Sequence, residues 1–292
     1  MNLIGGFKNR LKEALYFLIL SSFFIAIVAS LVLYFSFLLF NTYPRPKMLL
    51  ASFFVTLSIY NINKLTDIKE DAINIPKRAD FLKNRKDQII FLCVFSYVIA
   101  LVLGSLESVL AVFILLIPLA SGVIYSVKLF NGIRLKDIPA AKNITVTLSL
   151  VVLATFLAKI SLNISPIMLF LIFNFFFLKL FVNTVLFDIR DVEGDKKAGT
   201  RTIPVVIGIK KTRNLLLTIH SSFIIWLIVS LYLGFFTIYL PVIIFAIIYG
   251  YAYILYFCSE RKKIEKNDFS YDIIVDGEWI YLAIFGFILN YL

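Results

Sequence analysis

Apolar runs long enough to cross a lipid bilayer follow one another through the whole sequence. A bilayer core about 30 Å thick requires about 20 mostly apolar residues in a helix. Nine such runs occupy residues 15–37, 48–63, 88–104, 108–127, 139–158, 165–187, 215–233, 237–257 and 273–292. Hydrophobic residues make up 61% of the 292 and charged residues only 16%, against roughly 45–50% and 25% in soluble domains. We therefore predict an all-α, polytopic integral membrane protein with nine transmembrane helices and exclude a water-soluble enzyme.

The basic residues predict the orientation of the spans. Twenty-five Lys and Arg residues lie in the N-terminal segment or in the connections after spans two, four, six and eight, and only three lie in the connections on the other side. Because basic loops stay in the cytoplasm, we expect a cell-membrane protein with its N-terminus and these connections cytoplasmic and its C-terminus outside. The net charge of +11 then reflects membrane topology, and we predict no nucleic-acid partner.

Two acidic motifs end spans at the predicted cytoplasmic face. The first acidic motif is Asn63, Asp67 and Asp71, and the second is Asp188, Asp191 and Asp195. Their spacings of three or four residues place each set on one helix face. Carboxylates stacked in this way repel one another and call for a counter-charge, and Mg²⁺ held by carboxylates and substrate phosphates is a natural one. The alternative is that they are ordinary solvated helix ends paired with nearby lysines.

These motifs resemble the two signature regions of the UbiA superfamily of intramembrane prenyltransferases. In the sequence, the first motif is followed by Asn74-x-Pro-x-Arg78, and the second by Gly199-Thr-Arg201-Thr-Ile-Pro204. A segment from Tyr125-Ser-Val-Lys128 to Arg134 is similar to the family's Tyr/Lys motif between spans four and five. The resemblance covers essentially the whole chain, so we expect a single domain over residues 1–292. The four-span separation of the acidic motifs suggests an internal repeat of spans 1–4 and 5–8.

The resemblance implies an enzyme that transfers an isoprenyl group from an allylic polyprenyl diphosphate to an aromatic or lipid acceptor within the membrane. Such enzymes enclose a central cavity in a helical bundle and use Mg²⁺ between the diphosphate and both acidic motifs. We expect one Mg²⁺ at Asn63, Asp67 and Asp71 and another at Asp191 and Asp195. Asp188 is a further candidate, either as a ligand or as the base for the acceptor.

Several other residues are candidates for substrate binding. Arg78, Lys128, Arg134 and Arg201 are candidate diphosphate partners, although cytoplasmic loop charge explains most basic residues here. Tyr125 could orient the diphosphate or the acceptor. Lys179 lies inside the sixth span with Asn183 one turn later, and an ionisable residue at that depth usually faces a cavity. We expect both to contact the acceptor, and a buried structural pair between helices is the alternative.

Two other functions fit parts of the pattern. A transporter of ions or lipids could use the same polar residues, although transporter sites usually lie at the midplane rather than at helix ends. A non-catalytic lipid-binding member of the family is the other alternative. The acceptor stays open among an aromatic acid, a quinone precursor, a porphyrin-type ring and a glycerol-phosphate ether lipid. The acids Asp272, Asp276 and Glu278 are predicted to cap the ninth span, and a contribution to the cavity is the lesser alternative.

Overall fold

The described part of the chain is helical throughout. The computed structural model describes residues 2–126, 138–160, 162–259 and 269–291, and within these ranges there is no strand. The helices are α1 Asn2–Leu20, α2 Phe23–Leu39, α3 Pro46–Thr66, α4 Ile68–Asn74, α5 Pro76–Lys83, α6 Lys86–Ser105, α7 Val109–Ser126, α8 Ala141–Lys159, α9 Pro166–Arg190, α10 Val192–Ala198, α11 Ile203–Ile207, α12 Ile209–Tyr232, α13 Leu240–Phe257 and α14 Glu278–Tyr291. A π-helical turn, Asp272–Asp276, precedes α14.

Proline sets the start of several helices. α3, α5, α9, α11 and α13 each carry Pro in the first turn, where its missing N–H costs no hydrogen bond. At α9 the Ser165 side chain also accepts a hydrogen bond from the Met168 amide at 3.2 Å.

The predicted first span is broken rather than continuous. Its two parts, Asn9–Leu20 and Phe23–Leu39, meet at an angle of 73°. Ser22 at the break has a φ of 66°, a left-handed conformation that ends a helix. Asn61 from α3 fixes the break, because its amide donates to the Ser21 carbonyl at 3.0 Å and its carbonyl accepts from the Ser22 hydroxyl at 3.1 Å.

The predicted count of nine spans is not confirmed. Six helices in the described ranges, namely α3, α6, α8, α9, α12 and α13, are long and apolar enough to cross a membrane, and the bent pair α1 and α2 would make seven. The fourth predicted span contains only a shorter apolar helix, Val109–Gly122. The ninth is reduced to the 14 residues of α14 because the π-helical turn replaces its start. These helices are those of a multi-pass membrane protein.

An aromatic core holds the inner helices together. Phe35 of α2 packs on Phe175 of α9, and Phe176 stacks on Trp279 of α14 with ring centroids 5.6 Å apart. Aromatic side chains bury large areas, and paired rings add about 0.5–1.5 kcal/mol beyond that burial. This core fixes α2, α9 and α14 around the cavity described next.

Candidate active site

A cavity of about 500 Å³, which we call the polar cavity, lies between the ends of α3 and α9. Helices α1, α2, α3, α7, α8 and α9 and the π-helical turn contribute to its wall. Its charged lining consists of Asp67, Asp71, Asp188, Asp191, Asp272 and Asp276 together with Lys64, Arg78, Lys142 and Arg190. The acids that the sequence places far apart therefore face one space, with basic side chains among them.

The first acidic motif forms one side of the polar cavity. α3 ends at Thr66, and Asp67 sits at the junction with α4, where backbone hydrogen bonds of 3.0 and 2.9 Å keep the helical pattern across the bend. Asn63 and Asp67 line the cavity. Asp71 is buried and pairs with Arg78 through two hydrogen bonds from the guanidinium. Asp71 and Arg78, which the sequence predicts as site residues, therefore both lie on this wall.

The second acidic motif forms the opposite side. Lys142 and Asn143 of α8 hold the two carboxylate oxygens of Asp188 at 2.9 and 2.7 Å. Arg190 donates two hydrogen bonds to Asp191, at 2.9 and 3.0 Å. Burial would raise the pKa of Asp191, but the Arg190 guanidinium outweighs burial and holds this pKa below its usual range. Asp191 is thus an ionised carboxylate in the resting site.

The two acidic motifs have a similar backbone arrangement. Hydrogen bonds from Asn74 connect them. Like Asp67, Asp191 lies at the junction between a long helix and a short one, here α9 and α10. The Asn74 amide donates to the Asp191 carbonyl at 3.1 Å, and its carbonyl accepts from the Gly194 amide at 2.8 Å. A Cβ on Gly194 would lie 2.6 Å from the Asn74 Cγ, so this contact requires glycine.

A third acidic segment reaches the polar cavity, although the sequence favoured a helix cap here and kept a place in the cavity as the lesser alternative. Asp272 and Asp276 of the π-helical turn line the cavity. Arg190 joins this segment to the second motif, because it also pairs with Asp272 at 3.2 Å. The spacing of four residues between the two acids was the available signal, since it repeats that of the first motif.

Lys179 lies away from the polar cavity, contrary to the predicted contact with the acceptor. It is 1% exposed and donates to Glu278 at 2.6 Å and to the Tyr253 hydroxyl at 3.1 Å. Glu278 is fully buried and therefore does not cap the ninth span at a surface. Asn183 accepts from the same Tyr253 hydroxyl. Lys179 and Glu278 therefore form a buried ion pair, which is the alternative that the sequence analysis gave.

Of the remaining predicted residues, Asp195 and Arg201 do not line the polar cavity. Asp195 is buried behind Asp191, and burial raises its pKa to about 7. Arg201 is exposed. Tyr125 belongs to α7, but its side chain lies outside the described residues, as do Lys128 and Arg134 entirely.

A second, smaller space continues inward from the polar cavity. This deep cavity of about 60 Å³ is mostly apolar, is bounded by Val32, Ala154 and Trp279, and includes Asn183 on its wall. Tyr60 and Asp276 line both spaces and mark the neck between them. The site therefore combines a charged outer space with an apolar inner one.

No group of three or more His, Cys, Asp or Glu side chains is arranged to hold a metal ion among the described residues. Three of the cavity carboxylates are instead paired with basic side chains, namely Asp71 with Arg78, Asp188 with Lys142 and Asp191 with Arg190. A cation bound mainly by protein ligands is therefore not preformed. The oxygen donors on both sides suit a hard cation that is completed by ligands from a bound phosphate.

The sequence matches the profile of the UbiA prenyltransferase family over residues 24–272. The chain belongs to this family. The resemblance that the motifs indicate is thus confirmed, and the chain is an enzyme of the prenyltransferase family. None of the curated protein sequences matches the chain.

Solved structures of UbiA homologues show the same fold. An apo homologue from Aeropyrum pernix K1 has a TM-score of 0.69 at 16% identity, covering 91% of this chain and 98% of that one. A homologue from Archaeoglobus fulgidus bound to GPP and Mg²⁺ has a TM-score of 0.66 at 18% identity, with 92% and 97% coverage. A digeranylgeranylglyceryl phosphate synthase structure reaches 0.54 at 18% identity, with 97% and 95% coverage.

Proposed function

We propose that this UbiA-family chain transfers an isoprenyl group from an allylic diphosphate to a hydrophobic acceptor in the membrane and releases diphosphate. The observation that carries the proposal is the polar cavity, in which carboxylates on two facing helix ends alternate with fixed cations beside an apolar inner space. The diphosphate matches the charged space, and the apolar space beside it would take the first part of the prenyl chain. The Archaeoglobus homologues bound to GPP or DMAPP with Mg²⁺ support this assignment.

Mg²⁺ is the cofactor that we propose for the polar cavity. Asn63, Asp67 and Asp71 would hold one ion, and Asp191 would hold a second from the other wall. Mg²⁺ usually takes one or two carboxylates and completes its coordination with water and substrate phosphate, so the donor set fits without a closed protein cage. When bound, it neutralises charge on the departing diphosphate. We do not assign Asp195 to it, because that side chain lies outside the cavity lining.

The chain's own cations bind and orient the diphosphate. Arg78 and Arg190 line the polar cavity from its two sides and each present a planar guanidinium, which matches phosphate oxygens in pairs. Before substrate binds, these side chains balance Asp71 and Asp191, which limits repulsion between the facing carboxylates. Fixed cations aimed at the leaving oxygens stabilise charge that grows in the transition state.

The site is proposed to open to the cytoplasm. The short helices α4 and α5, and α10 and α11, lie in the two most basic connections of the sequence, which the positive-inside rule places in the cytoplasm. A soluble or interfacial diphosphate could then reach the polar cavity directly. The acceptor, whether aromatic or lipid, is hydrophobic and would approach the cavity from the membrane.

Transfer of label from a radioactive isoprenyl diphosphate tests the proposed function. We expect Asp67→Ala and Asp191→Ala each to abolish Mg²⁺-dependent transfer and diphosphate release while the protein stays folded by gel filtration and thermal unfolding. Asp87→Ala is the matched control, because Asp87 is exposed at the start of α6 and does not line the polar cavity. Normal turnover in either motif variant would remove that motif from the mechanism.

A further inference from the structure

Asp276 is a buried carboxylate that faces the neck between the polar cavity and the deep cavity. It is 9% exposed, and no hydrogen bond or ion pair reaches it within the described part of the chain. Asp71, Asp188 and Asp191 are instead each paired with a basic side chain. Burying a carboxylate without a partner is costly, so an unpaired one that lines a cavity is positioned for a ligand.

The backbone around Asp276 is built to present it. Residues 272–276 form a π-helical turn, closed by a hydrogen bond of 3.2 Å from the Gly277 amide to the Asp272 carbonyl. A Cβ on Gly277 would collide with the carbonyl oxygen of Ile273, so glycine is required at this position. Such π-turns inside helical segments occur frequently at functional sites, and this one turns Asp276 toward the neck.

The neck is where the reacting carbon of the donor would lie. With diphosphate in the polar cavity and the prenyl chain in the deep cavity, the allylic C1 falls between the two, beside Tyr60 and Asp276. This step rests on the proposed function. The acceptor's nucleophilic atom must approach the same carbon, and among the described residues Asp276 is the acidic side chain that lines both spaces there.

We propose that Asp276 binds the nucleophilic hydroxyl of the acceptor and takes its proton during transfer. The hydroxyl oxygen, or the ring carbon conjugated with it, forms a bond to C1 while the C1–O bond to diphosphate breaks. The electron pair of the broken bond leaves with diphosphate, and the hydroxyl proton passes to the Asp276 carboxylate. An acceptor that attacks through a carboxylate has no proton to give to Asp276, so the acceptor class that this residue serves is a hydroxyl compound.

Asp188, the base predicted from the sequence, is less suited to this role. Both of its carboxylate oxygens are already engaged, one by Lys142 and the other by Asn143. Asp272 is likewise paired with Arg190. Asp272 and Arg190 are the charged groups that interact electrostatically with Asp276, and Tyr60 lines both spaces with it.

The test compares Asp276→Asn with Asp87→Asn, an exposed aspartate given the same substitution. Labelled GPP is the donor, and the acceptor probes are a hydroxybenzoate, a dihydroxynaphthoate and a glycerol-phosphate ether lipid with one free hydroxyl. Benzoate, which has a carboxylate and no hydroxyl group, serves as the opposing probe, and transfer to it as efficient as to the hydroxyl probes would overturn the inference. We expect Asp276→Asn to keep Mg²⁺-dependent GPP binding within about twofold and to lose transfer by about 10²–10⁴-fold, the usual contribution of a general base.

A second variant separates a proton acceptor from a structural role. Asp276→Gly leaves room for a small carboxylate, so added formate should restore part of the transfer, whereas chloride at equal ionic strength should not. Unchanged transfer in Asp276→Asn, equal losses of GPP binding and transfer, absence of formate rescue, or wild-type transfer to no hydroxyl probe would each overturn the inference. Failure of the wild type to bind GPP with Mg²⁺ would instead overturn the proposed function.

Discussion

Replacement of Gly194 by alanine tests how the two acidic motifs are held together. Asn74 reaches across from the end of α4 and makes hydrogen bonds with the Asp191 carbonyl and the Gly194 amide, at 3.1 and 2.8 Å. An alanine Cβ would lie 2.6 Å from the Asn74 Cγ and 2.7 Å from its Oδ1, against about 3.5–4.0 Å at optimal contact. The Asn74 carboxamide would have to move away from residue 194, and both of its hydrogen bonds would be lost.

The expected cost follows from these contacts. Two hydrogen bonds at about 0.5–1.5 kcal/mol each amount to about 1–3 kcal/mol, and overpacking adds about 1–3 kcal/mol where the backbone cannot move. Alanine returns about 0.5–1 kcal/mol because it is the better helix former. The net effect on the free energy of unfolding should be a loss of about 3 kcal/mol, together with weaker binding of diphosphate, because Asn74 no longer links the two walls of the polar cavity.

A double-mutant cycle with Asn74→Ala isolates the contact. Asn74→Ala removes the hydrogen bonds and also the side chain that a Cβ at position 194 would meet. Adding Gly194→Ala in this background should therefore be neutral or slightly stabilising. Thermal unfolding in detergent and Mg²⁺-dependent GPP binding are the readouts for all four proteins. An equal cost of Gly194→Ala in both backgrounds would refute the reasoning, since it would show that Asn74 is not the group that excludes a Cβ.

Two further predictions concern buried charge outside the polar cavity. Lys179→Met leaves Glu278 buried without its cation and should lower the free energy of unfolding by about 3–5 kcal/mol, whereas Lys179→Met with Glu278→Leu should recover most of this loss; a double variant as unstable as the single one would contradict the pairing. The pKa of Asp195 is raised from 3.8 to about 7, so the folded state keeps a proton that the unfolded state releases, and stability falls as the pH rises through this interval. Asp195→Asn should therefore stabilise the Mg²⁺-free protein by up to about 4 kcal/mol at about pH 8 and much less at about pH 4, and equal shifts in the unfolding midpoint at both pH values would contradict this.

Helical periodicity was enough to predict the helices and the acidic faces on them. Asp67 and Asp191 end long apolar helices, and the structure brings both to one cavity, because a bundle with short connections places the ends of its helices on shared sides. The bends at these two residues were not predicted, since backbone hydrogen bonds continue across them and nothing in the spacing changes.

Side-chain contacts between residues that are distant in the sequence could not be predicted from the sequence. Lys179 meets Glu278 99 positions later, and its burial could equally have pointed to a cavity. The sequence favours a helix cap at Asp276 over a place in the cavity, because acids at the start of an apolar run usually are caps. The position of Asp276 depends on the π-turn, which a side chain at position 277 would obstruct.

The most direct test of the central claim is the binding of isoprenyl diphosphates of increasing length to the detergent-purified protein. Binding is measured with and without Mg²⁺ for the wild type, Asp67→Ala and the control Asp87→Ala. We expect Mg²⁺-dependent binding in the wild type and the control, its loss in Asp67→Ala, and a preferred chain length that reflects the deep cavity. Absence of diphosphate binding at every length, or binding that is indifferent to both Mg²⁺ and Asp67, would contradict the account.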